Sequence, residues 1–420
     1  MNIFTAIVLA AILIPFILDL ISNLLNLKAL ALEPPAELKD LYPPDKYRRS
    51  QEYTRDSTHF NFVSSTFALL ILLIFWFAHG FNWLDLVVRN WGLGEIINGL
   101  LYIGILALVY SLIMLPFSIY ATFGIEQHYG FNRTAPETFI ADRLKGLVLA
   151  IVLGGPILAA VIALFKFAGT AAWLYCWAAV AAYLLVIEFI APNWIMPLFN
   201  KFTPLAEGEL RTAIFDYARS VNFPIQNVFV IDGSRRSSKS NAFFTGFGKN
   251  KRIALFDTLI AQHTVPELVS VLAHEIGHYK KKHVAQGMAI SIVHFGLLFF
   301  LLSIFLNSQG LYQAFYVAQP SVYTGLIFFG MMYTPIEFVL SILLNMLSRK
   351  NESDADRFAV VTSAEPGALV NALKKLAADN LSNLTPHPFY SFLYYSHPAL
   401  RERIEYIETI NPRPASEQQL

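Results

Sequence analysis

The sequence predicts a mainly α-helical polytopic membrane protein with seven transmembrane helices and a small α/β unit inserted between the fifth and sixth. Three observations carry that prediction. Of the 420 residues, 55% are hydrophobic and only 15% charged, where a soluble chain carries about a quarter. Seven stretches are apolar enough to span a bilayer, which takes about 20 residues of helix. One segment among them, 198–287, instead alternates short β-type runs with turn residues. The formal net charge of +1 points away from nucleic acid and from any strongly charged partner. A single cysteine, Cys176, excludes an internal disulfide and a cysteine-built metal cluster. It lies in an apolar run and reads as a small buried side chain.

The expected spans are 3–27, 62–82, 96–120, 147–167, 172–197, 288–307 and 322–346. No basic segment precedes the apolar run after Met1, so the first span reads as a retained helix and not as a cleaved signal peptide. Asp19, Asn98, Glu188 and Glu337 fall within spans. Polar groups at membrane depth usually face a bundle interior or a water-filled cavity, which suggests a hydrated interior. Asp19 and Glu188 fit a place near an interface equally well. Lys and Arg alternate between connections: Lys28, Lys39, Lys46, Arg48, Arg49 and Arg55 in the first, only Arg89 in the second, Arg133, Arg143 and Lys145 in the third. The fourth has Lys166, 198–287 is rich in both, and 308–321 has none. By the positive-inside rule the amino terminus is expected outside or lumenal, with the α/β unit and the carboxyl terminus cytosolic.

Within 198–287, helical spacing runs from Leu205 to Ala218. Strands are expected at Asn227–Asp232, Asn241–Gly246 and Arg252–Phe256, the last two joined by Gly248-Lys249-Asn250. A helix over about 265–287 follows. Beyond the last span, 347–363 continues as helix and 364–412 reads as a soluble helical tail. The expected organisation is therefore 1–197 (five spans), 198–287 (α/β), 288–346 (two spans) and 347–420 (helical tail).

The chemistry sits in Val271-Leu-Ala-His-Glu-Ile-Gly-His-Tyr279. On a helix His274 and His278 share a face, so two imidazoles can hold one ion, and Glu275 can act as general base toward water activated there. This is the H-E-x-x-H pattern of zinc peptidases; the plain alternative is two ordinary histidines on an amphipathic helix. Zinc of this kind wants a third protein ligand from another element. Glu352 is the strongest candidate, just past the last span and level with the motif, with Asp356 one turn on, placed to accept from a ligand imidazole. A charged helix exit at the membrane surface is the competing account. Asp354 points elsewhere by spacing. His397, before Pro398, either stabilises an oxyanion or simply opens a helix. His283, closing Lys280-Lys281-Lys282, and His294, inside a span, read as structural. The strand from Asn241-Ala242 either presents an edge that holds substrate by backbone hydrogen bonds, with Asn241 adding a side-chain contact, or lies in the sheet interior.

These residues are joined by others that carry a family resemblance along nearly the whole chain. They are Ile125-Glu126, Gly130-Phe131-Asn132, Pro197 through Pro204, Asp232 through Ser238, Ser240 through Phe244, Lys251 through Asp257, the H-E-x-x-H helix, Ser348-Arg349-x-x-Glu352-x-x-Ala355-Asp356 and His397-Pro398. The chain resembles the type I CAAX prenyl endopeptidases, multi-pass membrane zinc metalloproteases of the gluzincin group. The resemblance implies one Zn²⁺ on His274, His278 and Glu352, with Glu275 as base and Asp356 behind the ligands. It also implies that Arg403 belongs to the site's surround, and that His397, Asn241 and Ala242 meet substrate or transition state. It implies seven helices around a water-filled chamber, capped by a cytosolic zincin-like α/β domain. Lys239 departs from the pattern, standing where related sequences often have His.

The implied partners are the lipid bilayer and a peptide or protein ending in a prenylated cysteine plus three residues. The alternative is a bacterial quality-control protease acting on damaged membrane proteins without prenylation; the membrane is accordingly the bacterial inner membrane or the ER. Shorter heat-shock proteases of this type have fewer spans. A transporter would show paired inverted halves, which are not visible, and a non-catalytic scaffold sits badly with an intact Glu275 and both histidines.

Overall fold

A computed structural model describes residues 2–31, 33–35, 38, 39, 43–225, 227–245 and 252–410. The turn expected at Gly248-Lys249-Asn250 and the last residues of the expected helical tail lie outside them. Among the described residues seven helices are long and apolar enough to cross a membrane. Helix α1 (Ile3–Lys28) starts on Asn2, whose Oδ1 accepts from the Thr5 N–H at 3.0 Å and caps the first turn. Helix α2 (Pro44–Phe77) begins well before the expected 62, because its first half is polar and no apolar run announces it. It also ends before 82: His79 turns left-handed, φ 61°, and the chain enters the short α3 (Gly80–Asn90). Helix α4 (Glu95–Ile119) continues through a π-helical stretch to Glu126. Helices α5 (Pro136–Leu149) and α6 (Gly155–Phe167) join across a π-helical turn into one span that starts ahead of the expected 147. Helix α7 (Ala172–Ile190) runs on into α8 (Met196–Phe199).

The α/β unit follows as β1 (Phe202–Pro204), α9 (Glu209–Ser220), β2 (Val228–Ile231), β3 (Ala242–Thr245), β4 (Arg252–Phe256), α10 (Asp257–Gln262) and α11 (Val265–Lys280). The strand order is β1-β2-β4-β3, with β2 and β4 parallel at the centre and the outer pairs antiparallel. Strand β1 was not anticipated; three residues ending on Pro204 leave little periodicity, and an edge tolerates the proline. Helix α9 starts at Glu209, not at 205. The single helix expected over 265–287 is two. Lys282 takes φ 61°, and the chain restarts as α12 (His283–Phe305), which carries the sixth span.

After α13 (Gln309–Ala314), one 41-residue helix, α14 (Val322–Thr362), crosses the membrane and keeps going. Helices α15 (Gly367–Asp379), α16 (Pro388–Tyr394) and α17 (Leu400–Ile410) complete the fold. Helix α11 packs against α9, α14 and α15, burying Leu272, Ala273 and Ile276 in the core of the α/β unit.

The spans close a ring: α1 packs on α2, α2 on α4, α4 on α6, α6 on α7, α7 on α12, α12 on α14, and α14 back on α1. At the end away from the sheet, α14 also reaches across to α4 and α6. There Tyr323 packs on Tyr102, and a Cβ at Gly99 would sit 2.7 Å from Ile162 and 2.9 Å from Tyr323. Tyr323 OH donates to buried Asp85 at 2.6 Å, and Arg89 holds the other oxygen at 2.8 Å. Between this plug and the α/β unit the helices carry no fully buried side chain. No residue is buried from 59 to 75 on α2, 103 to 119 on α4, 181 to 190 on α7, 283 to 295 on α12 or 334 to 351 on α14. Helices arranged in a closed ring with no fully buried side chain over these stretches enclose a chamber.

Candidate metal centre

Helix α11 owes its start to Thr264, whose N–H is accepted by Glu267 Oε2 at 2.8 Å, followed by Pro266 in the first turn, where a missing N–H costs nothing. Lys375 of α15 donates to the same carboxylate at 2.8 Å. Burial pushes Glu267 up, but the Lys375 ammonium and the Thr264 N–H overcome it and hold the carboxyl below its ordinary value. The helix then meets α14 at its closest point. A Cβ on Gly277 would stand 3.1 Å from both the Cα and the carbonyl oxygen of Ala355, backbone atoms that cannot swing aside. That approach is what lets two histidines of one helix reach a carboxylate of the other.

His274 Nε2 lies 3.3 Å from Glu352 Oε2, His278 Nε2 lies 3.2 Å from Glu352 Oε1, and the two imidazole nitrogens are 3.1 Å apart. In a tetrahedral site with bonds of roughly 2.0–2.1 Å, ligand atoms stand about 3.3–3.4 Å from one another. The donor set therefore suits one divalent ion of that size. Glu352 Oε2 is buried without a hydrogen-bond donor, an arrangement a cation relieves. Behind the cluster, His274 Nδ1 donates to Asp356 Oδ1 at 2.8 Å, which fixes the tautomer and leaves Nε2 free to ligate. Arg403 grips the same carboxylate twice, Nη2 to Oδ1 at 2.6 Å and Nε to Oδ2 at 2.9 Å. Burial works against the His274 cation, but Asp356 and Glu352 raise its pKa to about 9. Burial pushes the neighbouring Glu275 carboxyl up.

His397 joins the cluster. Its Nε2 is 3.3 Å from Glu352 Oε1 on an otherwise exposed ring. Ser396 Oγ bonds its Nδ1 at 2.9 Å. What places His397 is Arg349, whose guanidinium donates to the carbonyls of Ser391 and Tyr395 and so ties the turn before His397 to α14. Asn345 donates to Leu393 O at 2.8 Å alongside. Among the described residues strand β3 lies at the sheet edge, not in its interior: Ala242 pairs there with Leu255 of β4 alone. Asn241 stands exposed at its start, its Oδ1 accepting from the Ala242 N–H at 2.9 Å. The 232–240 loop is pinned to the membrane ring. Lys239 bonds Tyr53 OH at 2.9 Å and Glu126 at 3.0 Å, its ammonium 4.3 Å from the Phe131 ring centre.

His274, His278, Glu352, Asp356, Arg403 and His397 thus fall in one bonded cluster, Glu275 follows His274 on the same helix, and Asn241 and Ala242 begin the outer strand, an element that packs on α11. Nothing in the sequence pattern marks a role for Arg349 or for Gly277 inside the motif. His283, read as structural, stands 3.0 Å from His278 by their Nδ1 atoms; its place five residues on was the available signal. His294 bonds Glu337 at 3.0 Å and Tyr333 at 3.1 Å, away from the metal ligands.

Two histidines on one helix, a glutamate on another and a ring of spans define a membrane-embedded metallopeptidase. The chain belongs to peptidase family M48: residues 204–411 match that family, and residues 23–201 match the family described as CAAX prenyl protease N-terminal, five membrane helices. It is 39% identical over 383 residues to the CAAX prenyl protease 1 homolog of Oryza sativa subsp. japonica, covering 89% of this chain and 90% of that one. It is 33% identical over 410 residues to CAAX prenyl protease 1 of Saccharomyces cerevisiae, covering 90% and 89%. The crystal structure of S. mikatae Ste24p matches with a TM-score of 0.92 at 31% identity, over 97% of this chain and 100% of the other.

Proposed function

We propose that this chain is a zinc metalloendopeptidase that hydrolyses peptide bonds near the carboxyl terminus of CAAX-type prenylated proteins or peptides. The observation that carries the reading is the convergence of His274, His278 and Glu352 at tetrahedral spacing, with Glu275 next to the first ligand. The relatives' names, CAAX prenyl protease 1 and its homologs, support the substrate class. When bound, the ion supplies a Lewis acid that polarises the scissile carbonyl and acidifies water.

The remaining steps belong to the chain. Glu275 takes a proton from the attacking water on its carboxylate and returns it to the leaving amine; its raised pKa suits both halves of that task. Ser396 donating to Nδ1 of His397 keeps the proton on Nε2, from which it stabilises the oxyanion. Asp356, with its charge balanced by Arg403, holds His274 in register. The free edge at Asn241 and Ala242 binds substrate as an added strand, so that the backbone and not the side chains sets the cleavage position. The chamber receives the rest of the substrate, including an apolar tail. The alternation of Lys and Arg among the connections supports an amino terminus outside or lumenal, with the metal centre cytosolic. The membrane is the ER in a eukaryote and the inner membrane in a bacterium.

The test is zinc quantification on the purified chain, paired with cleavage of a prenylated peptide and its unprenylated twin. One equivalent of zinc and chelator-sensitive cleavage that favours the prenylated peptide are expected. Equal cleavage of both peptides would support the quality-control role instead, and absence of zinc would remove the peptidase mechanism.

A further inference from the structure

The geometry points to His283, the first residue of a membrane span, as a positioning residue that orients His278 toward the metal through its Nδ1. This rests on the reading of His274, His278 and Glu352 as ligands of one ion. His278 Nε2 faces Glu352 Oε1 at 3.2 Å and His274 Nε2 at 3.1 Å. A nitrogen that offers its lone pair carries no proton, so the ring's proton is on Nδ1. That atom lies 3.0 Å from His283 Nδ1, with the ring centroids 5.1 Å apart and the planes at 72°. His278 is therefore the donor and His283 the acceptor, with the proton of His283 on its Nε2.

The backbone is built for this contact. The Lys281 N–H donates to Gly277 O at 3.0 Å and the Lys282 N–H to Tyr279 O at 2.9 Å, closing α11. Lys282 then adopts φ 61°, unfavourable for a residue with a Cβ, and α12 restarts with His283 folded back over the last turn of α11. Asn351 of α14 donates to Gln286 Oε1 at 3.0 Å, so the first turn of α12 is held to both ligand-bearing helices. The two ligand histidines thus have unlike supports. His274 leans on a carboxylate whose charge Arg403 balances, whereas His278 leans on a neutral ring that orients it without adding a fourth negative charge beside Glu275, Glu352 and Asp356.

His283→Leu removes the acceptor at similar volume, and His283→Asn sets a carbonyl oxygen where Nδ1 stands. The measurements are Zn²⁺ affinity of the detergent-solubilised full chain, by competition with a chromophoric chelator, and the visible spectrum of the Co²⁺-loaded protein. The leucine variant should bind zinc roughly 10- to 100-fold more weakly, with a displaced Co²⁺ spectrum. The asparagine variant should stay near the parent on both measures. Parental affinity in the leucine variant, or equal losses in both, would overturn the inference. If the leucine variant does not fold, His283→Ala set against His283→Asn makes the same comparison, with the metal-free melt as the folding check. A parent chain that takes up no zinc refutes the ligand assignment itself, whereas zinc binding that His283→Leu leaves untouched refutes only the role of His283.

Discussion

Replacing Gly277 by alanine isolates the helix contact that assembles the metal centre. The new methyl would lie 3.1 Å from Ala355 Cα and 3.1 Å from Ala355 O, and 3.2 Å from Phe358 Cβ. Carbon contacts settle at about 3.5–4.0 Å, so α11 and α14 must part by roughly 0.5 Å. Overpacking of this kind costs about 1–3 kcal/mol. Alanine returns about 1 kcal/mol through helix propensity, which leaves a net loss of roughly 0–2 kcal/mol. The metal suffers more than the fold. Metal–ligand distances tolerate only about ±0.2 Å, and Glu352 sits three residues before Ala355 on the helix being displaced. The expected outcome is a small change in melting temperature with a zinc affinity lowered at least tenfold, read by chelator competition. Ala355→Gly should not rescue it, because two of the three close contacts are backbone atoms. Unchanged zinc affinity in Gly277→Ala, or full rescue by Ala355→Gly, would refute the reasoning.

Glu275→Gln should retain one equivalent of zinc while peptide hydrolysis falls by orders of magnitude; full activity would remove Glu275 from its role. Glu352→Ala should lose the metal in elemental analysis, and retained zinc would count against it as the third ligand. The Glu267–Lys375 pair offers a pH test. Glu267 is depressed in the folded chain, so its contribution is complete above the ordinary carboxylate pKa and is lost as pH falls through the lower folded value. Glu267→Gln should therefore lower stability by about 1 kcal/mol at neutral pH, a figure held down by the half-exposed Lys375. The difference from the parent should shrink in melts below about pH 4, and a constant gap from pH 7 to pH 3 would contradict it.

Much of the molecule is written in local patterns. Apolar length marks every span, because only a helix satisfies its backbone inside a bilayer. Where length is not the signal the boundaries slip, as at the polar first half of α2. The i, i+4 spacing of His274 and His278 is equally local, since 3.6 residues per turn puts both on one face whatever surrounds them. Three decisions were not local. Placing β3 at the edge required the pairing of β2 with β4, two strands separated in sequence by β3 itself. Bringing Glu352 to within 3.3 Å of the histidines required Gly277 and Ala355 to touch. Turning His283 back onto His278 required one left-handed lysine, which no composition or period announces.

By itself, then, the sequence determined the number of spans, the chemistry of the metal helix and the kind of side chain needed to complete it. Backbone geometry and the cost of unpaired polar groups in lipid act over a few turns and leave their mark on residue order. Tertiary structure alone decided which helix neighbours which around the ring and where α11 meets α14. These depend on which surfaces come together across hundreds of residues, and the energy of that choice lies in contacts between elements and within none of them.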